Sequence, residues 1–325
     1  MINLGMDLRC SIRTLTGNPG FSVMTILMLA LGIGACTAIF TVVNAVLLRP
    51  LPYPDSKSLV QLWELSDKGR VMRLPEANFL DWKAQSRSFD GMAVFGGGVQ
   101  PIAGGTETLR ARVTQVSQGF FDILRVPAMI GTTFRPDHLR ADAVPAIVVS
   151  YGLWRRVLGG GADLAGKTLT LEGKTYPVVG VMPAGFNFPS GTDAWRPRET
   201  SDFPVMPSRS AHNWSVIARL KPGVLPEAAS SEVNGIARRI HDSYSNVTAV
   251  GGVAIPLKGQ LTESVDVVLP VLLAAVAVLL LIACANASNL ILVRITGRQQ
   301  EMAVRTAWER ADSRWRGCCC VRRCY

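Results

Sequence analysis

The sequence predicts a membrane protein in which two transmembrane α-helices flank an extracytoplasmic mixed α/β (α+β) domain. Three observations predict it. Residues 267–293 form a run of 27 residues without a charge, long enough at about 1.5 Å per residue to cross a hydrocarbon core of about 30 Å. Residues 14–48 are also free of charge, and their core, 21–48, is again of spanning length. Between the two runs, short β-rich stretches alternate with helical patterns, as in a mixed α/β domain.

Orientation follows from charge. Arg294, Arg298 and Arg305 come after the second run, whereas the 15 residues before it carry only Lys258 beside Glu263 and Asp266. The positive-inside bias places the arginine-rich end in the cytoplasm. Arg9 and Arg13 nearly balance Arg49 and Lys57 around the first run, so its direction follows from the second: N-terminus inside, 49–266 outside. A cleaved signal peptide is the competing reading, but its apolar region should span about 7–15 residues and this one is much longer.

Composition narrows the classes. The seven cysteines, Cys10, Cys36, Cys284, Cys318, Cys319, Cys320 and Cys324, all lie outside 49–266, so the outer domain must fold on its core without disulfides. The net charge of +10 divides as +2 for 1–49, +4 for 50–265 and +4 for 266–325. No part carries a basic excess of the kind nucleic acid demands, and the basic ends read as membrane-surface charge.

In chain order, residues 1–20 read as a cytoplasmic amphipathic segment in which Leu8, Ile12 and Leu15 recur at helical spacing beside Arg9 and Arg13. In the first span, 21–48, Ala30, Gly34 and Ala38 recur every four residues and allow another helix to approach closely. Pro50, Pro52 and Pro54 make a stiff exit. Strands are expected at 59–65, 111–116 and 146–150, and helices at 76–86, 119–124 and 151–158. Glu172-Gly173-Lys174 is a hairpin signal between strands 168–171 and 176–181. A strand at 212–220 precedes a helix at 226–244 with Pro226 in its first turn and Val233, Ile236, Ala237 and Ile240 on one face. Residues 252–257 close the domain. The proline-rich stretch 183–207 lacks periodicity and reads as an exposed seam, and Gly96–Gly98 and Gly159–Gly161 as loop hinges. In the second span, 267–293, Asn286, Ser288 and Asn289 interrupt the apolar run and should face other helices.

Candidate chemistry is sparse. Gly161-Ala162-Asp163-Leu164-Ala165-Gly166-Lys167-Thr168 satisfies the phosphate-loop expression, yet a helical pattern precedes it and an alternating one follows, where the chemistry needs a strand before and a helix after. The histidines His138, His212 and His241 have no ligand spacing around them, and no nucleophile elbow or singled-out carboxylate pair occurs. No catalytic residue, cofactor or metal site is expected. Phe79-Leu80-Asp81-Trp82 and Asn213-Trp214 read as core packing.

Taken together, Asn18-Pro19-Gly20-Phe21, LALGIGACTAIFTVVNAVLLRPLPYP, Asp81-Trp82, VVSYGLWRR, GKTLTLEGKTYPVVGVMPAGF, ARLKPGV, LLIACANASNL and RQQEMAVRTA resemble the MacB/FtsX-type ABC-transporter permeases over about residues 7–307. Their long duplicated orphan-permease branch is the nearest likeness. The resemblance implies a MacB-like periplasmic core domain at 49–266, an inner (cytoplasmic) membrane location, a dimer of permease subunits, and a cytoplasmic ABC ATPase as partner. It assigns ATPase coupling to the cytoplasmic segment 294–307, through Arg298, Glu301, Met302, Ala303, Val304 and Arg305. The alternative, a two-span sensor with an outer ligand-binding domain, is weakened by the short segment after the second span.

After Ala307 the likeness stops. Residues 308–325 read as an out-of-frame tail, which makes the chain an N-terminal fragment of a longer permease. Codons for Trp308-Glu309-Arg310-Ala311-Asp312, re-read one base earlier after a C, encode Leu-Gly-Ala-Gly-Arg, the run the family continues with. Sequencing the gene should show that a one-base shift restores this run and the leucines after it; a coding strand on which no single shift does so refutes the reading.

Overall fold

The computed structural model describes residues 19–44, 49–104, 107–139, 143–198, 208–266, 270–285, 288–289 and 292. The chain divides into two compact units, one comprising Met1–Arg49 and Thr262–Tyr325 and the other Pro50–Leu261.

In the first unit, α1 (Pro19–Val43) is 25 residues long with no acidic or basic residue at either end, and 270–285 is helical. Gly32 is their point of close approach: a Cβ there would stand 3.4 Å from Leu280 and 3.6 Å from Ala283. The Thr37 and Thr41 hydroxyls donate to the carbonyls four residues back at 2.8 and 2.7 Å, and Ser288 does the same to Cys284 at 2.8 Å. Among the described residues no helix is long and apolar enough to cross a membrane. Both expected spans run past the described residues, at 45–48 for the first and at 267–269, 286–287, 290–291 and 293 for the second.

The second unit is built on β1 (Leu59–Leu65), β2 (Val71–Met72), α2 (Glu76–Gln85), β3 (Phe89–Gly104), β4 (Glu107–Val116), α3 (Phe120–Leu124), β5 (Ile130–Gly131), β6 (Ile147–Val149), α4 (Tyr151–Val157), β7 (Thr168–Leu171), β8 (Lys174–Val181), β9 (Ala194–Pro197), β10 (Ser215–Leu220), α5 (Pro226–Ser243) and β11 (Gly251–Pro256), and α6 (Leu257–Asp266) crosses the boundary after Leu261. All strands join one sheet in the order β11-β1-β10-β3-β4-β9-β6-β8-β5, with β2 on β1 and β7 between β3 and β8. The mixed α/β expectation holds. Because β7 pairs with both β3 and β8, the path β3-β4-β9-β6-β8-β7 returns to its start. The domain therefore has two lobes that share β3: an open antiparallel sheet, β11-β1-β10-β3, and a closed six-stranded ring.

Alternation along the strands sorts side chains into cores. Met92 and Val94 of β3 join α2 and α5 residues, including Phe79, Trp82, Val233, Ile236, Ala237 and Ile240. Ala93 and Phe95, on the other face, pack with Phe120, Phe121, Phe188 and Trp195. Further along, Ile102 enters the ring's interior with Val113, Ile147, Leu169, Leu171 and Val178. The predicted apolar face of 226–244 is thus buried as expected. Glu232, on the same helix, ties the lobe's corner by accepting the N–H groups of Arg87 at 2.7 Å and Ser88 at 3.0 Å. Burial alone would raise its carboxyl, but these bonds and the Ser88 hydroxyl hold it below the ordinary carboxylate range.

The hairpin signal was accurate. Leu171 faces Lys174 in the ladder, and the turn residues Glu172 and Gly173 take φ of 51° and 78°, the positive values of a type I′ turn. Downstream of Gly161–Gly166, Thr168 opens a strand, not a helix, so the phosphate-loop geometry is absent there.

Two expectations need correction. Gly96–Gly98 is no hinge but lies inside β3, paired with Val113, Thr114 and Gln115. The glycines are required by close neighbours: a Cβ on Gly96 would meet the Trp214 ring at 3.0 Å, and one on Gly97, at φ 144°, would meet the Val113 carbonyl oxygen at 2.2 Å. Nor is 183–198 a seam, since Phe186, Phe188, Ala194 and Trp195 are buried. Trp195 sits in the ring wall and donates its indole N–H to the Phe188 carbonyl at 3.0 Å. Residues 199–207 lie outside the described residues.

Gly97→Ala is expected to destabilise the chain by about 2–3 kcal/mol through overpacking and backbone strain. Gly98→Ala, with nothing within 4 Å of the new Cβ, should cost under about 1 kcal/mol in urea titrations of the full chain.

Candidate functional site

The residues assigned to ATPase coupling, Arg298, Glu301, Met302, Ala303, Val304 and Arg305, lie outside the described residues, as does Asn286. Asn289 is helical and exposed, and Ala30, Gly34 and Ala38 are exposed on α1. A Cβ on Gly34 would meet nothing within 4 Å. The small-residue stripe is therefore not the surface that meets 270–285 within this chain; Gly32 is.

The strongest concentration of polar groups in the outer domain lies where the chain returns from the ring to the open sheet. Three cations on this return, Arg198, Arg209 and His212, meet three carboxylates on β1 and α2: Glu76, Asp81 and Glu64. Glu64 is at 1% exposure in β1. Asn78, fully buried one turn into α2, donates to Glu64 Oε1 at 2.7 Å and accepts from Arg209 at 2.7 Å. Its amide orientation is fixed by having an acceptor on one side and a donor on the other. Arg209 also reaches Asp81 at 2.6 Å and stacks 3.9 Å from the Tyr244 ring centroid.

His212 completes the line. Its Nε2 is 3.1 Å from Glu64 Oε2 and its Nδ1 is 2.9 Å from the Ser210 carbonyl oxygen. Acceptors lie near both ring nitrogens, an arrangement that favours the protonated ring. The hydrogen bond with Glu64 accordingly raises His212 above the ordinary histidine value, against the opposing effect of burial.

Beside this line lies a cavity of about 350 Å³ bordered by Glu76, Gly96, Gly97, Arg198, Asn213 and Trp214. Arg198 bridges it, bonded to Glu76 at 2.7 Å and standing 5.2 Å over the Trp214 ring. Trp214 is half-buried, whereas Phe79 and Trp82 are fully in the core, as expected, and Leu80 is exposed. Among the described residues no group of His, Cys, Asp or Glu is placed to hold a metal ion. The arrangement is that of a pinned joint between lobes, with charges paired with one another.

The domain, an open sheet that shares a strand with a closed ring, follows a helix of 25 residues in the sequence, and the match to a family model gives its class: the periplasmic domain of an ABC-transporter permease of MacB/FtsX type. Residues 22–236, 215 of 325, match the model of the MacB-like periplasmic core domain, and the chain belongs to that family. It is similar to the periplasmic region of MacB from Actinobacillus actinomycetemcomitans, at 11% identity over 65% of this chain and 94% of that one, with a TM-score of 0.47. It is also similar to the extracellular domain of the noncanonic ABC-type transporter YknZ from Gram-positive bacteria, at 13% identity over 61% and 99%, with a TM-score of 0.45. No curated protein matches the chain.

Asn78→Leu should destabilise the full chain by about 2–4 kcal/mol, because Glu64 and Arg209 each lose a partner in a buried setting. Because His212 is raised in the folded state, its contribution is complete below the unfolded pKa and is lost as pH rises through the folded one. Denaturation midpoints measured from pH 5 to 9 should show this loss, and His212→Gln should flatten it.

Proposed function

We propose that the chain acts as a permease subunit of an ABC-type transport or mechanotransmission system, with no catalytic role of its own. Residues 21–48 and 267–293 cross the inner membrane, the N-terminus is cytoplasmic, and 49–266 stands outside. Two such subunits pair, and the segment 294–307 receives motion from a cytoplasmic ATPase through Arg298 and 301–305.

The observation that carries this reading is the family match, which begins within α1 and continues through both lobes. Features of the first unit agree with it. Leu31 and Leu281 are 68% and 69% exposed, a state that hydrocarbon favours and water does not. The hydroxyls of Thr37, Thr41 and Ser288 turn back to their own helices' carbonyls, which is how polar side chains are satisfied in lipid.

Alkaline phosphatase fused after Gly223 should be active in cells, and fused after Arg305 inactive; the reverse pattern overturns the topology. The tagged chain, extracted from its own membrane, should co-purify an ATP-hydrolysing subunit, and Arg298→Glu with Arg305→Glu should abolish this. Recovery of the same subunit with the double variant overturns the assigned coupling residues.

A further inference from the structure

The segment 50–58 joins the end of the first unit to β1, and its chemistry is one-sided. Pro50, Pro52 and Pro54 have no N–H to donate, so the segment cannot extend the sheet, yet its carbonyls still need donors. A partner with many donors and no acceptor answers this need, and arginine is that residue.

Arg219 occupies the place. It lies in β10, opposite Leu59 of β1 and Gly91 of β3, at 2% exposure. Its terminal nitrogens donate to the Pro54 carbonyl at 3.1 Å, the Asp55 carbonyl at 3.0 Å and the Ser58 hydroxyl at 2.6 Å. Its Nε donates the other way, to the Ile123 carbonyl in α3 at 2.8 Å. The Asp55 carboxylate is 3.5 Å away and 60% exposed, so backbone and hydroxyl dipoles, not an ion pair, hold the charge. Gly91 makes the contact to α3 possible: a Cβ there would press on Ile123 at 3.1 Å.

Among the described residues, the hydrogen bonds that tie 50–58 to the rest of the domain end on Arg219. The remaining hold is apolar. Tyr53 meets the edges of Phe186 and Phe188 at 6.3 Å, and burial pushes its hydroxyl up to about 12, so it stays neutral.

We infer that Arg219 is a positioning residue that clamps the segment leaving α1 to β10 and α3, so that displacement at Pro50 moves both elements together. The inference rests on the permease reading for its purpose, since only a domain driven from the membrane needs a stiff entry.

Trypsin tests the clamp on the full chain in lipid nanodiscs. Lys57–Ser58 is a cleavable bond inside the clamped segment, whereas Arg49 precedes proline. In Arg219→Met, cleavage at Lys57 should rise at least about tenfold and by more than cutting at the domain's other sites, while the carbonyls left without donors lower the melting temperature as well. Ser58→Ala, which removes the bond from Arg219 and the hydroxyl's own bond to the Asp55 carbonyl and leaves the strand intact, should raise it about threefold to fivefold. Arg219→Lys should fall between wild type and Arg219→Met. Unchanged cleavage at Lys57 in both Arg219→Met and Ser58→Ala overturns the clamp, as does a rise at Lys57 no larger than the rise at the domain's other sites. The phosphatase fusions read the permease topology independently, so failure of that reading and failure of the clamp are separable.

Discussion

The domain depends on one strand that serves three cores at once. Over its 16 residues, β3 gives Met92 and Val94 to the helix-covered face, Ala93 and Phe95 to the aromatic face, and Ile102 to the ring. A one-residue slip of β3 against β10 or β4 would reverse every one of these assignments. Its register is therefore fixed from both sides, and the two lobes cannot be repacked separately. Closing the ring also removes the free edges that an open sheet of this size would expose.

Polar chemistry is laid over this frame at the places where the chain changes lobes or enters the domain. The line from His212 through Glu64, Asn78 and Arg209 to Asp81 is buried or half-buried. Such a line is costly if any member is missing and specific if all are present. It fixes how the return from the ring seats on α2. Arg219 does the same for the entry, with carbonyls in place of carboxylates. Hydrophobic burial holds each lobe together, and directional bonds set where the connections run.

Local signals in the sequence were good guides wherever the deciding partner is near in the chain. The face Val233, Ile236, Ala237 and Ile240 follows from helical period, and the turn at Glu172-Gly173 from its residue types. Neither needs knowledge of the fold. Strand β3 was hidden because Gly96, Gly97 and Gly98 read locally as a hinge, while the atoms that require glycine belong to Trp214 and Val113. The strand β9 was hidden in a proline-rich stretch for a similar reason, as Trp195 finds its place only against β4 and β6. Of the polar line, the sequence shows Asp81 beside aromatic residues and His212 without ligand spacing, but not their pairing, since Glu64 and His212 acquire meaning from each other. One signal was available for Arg219: an arginine within Ser215-Val216-Ile217-Ala218-Arg219-Leu220, every residue of which is buried, in a chain with a proline-rich segment lacking donors.

The neighbours of β1 carry a consequence for the domain's history. The chain enters the sheet on β1 and leaves it on β11, and Val60 faces Pro256 in the ladder between them. Entry and exit are one strand spacing apart, roughly 5 Å. A polypeptide loop of any host can receive this whole module at a single point without being stretched, and close again if the module is cut out. The domain thus hangs from its two flanking segments at a single point of its sheet.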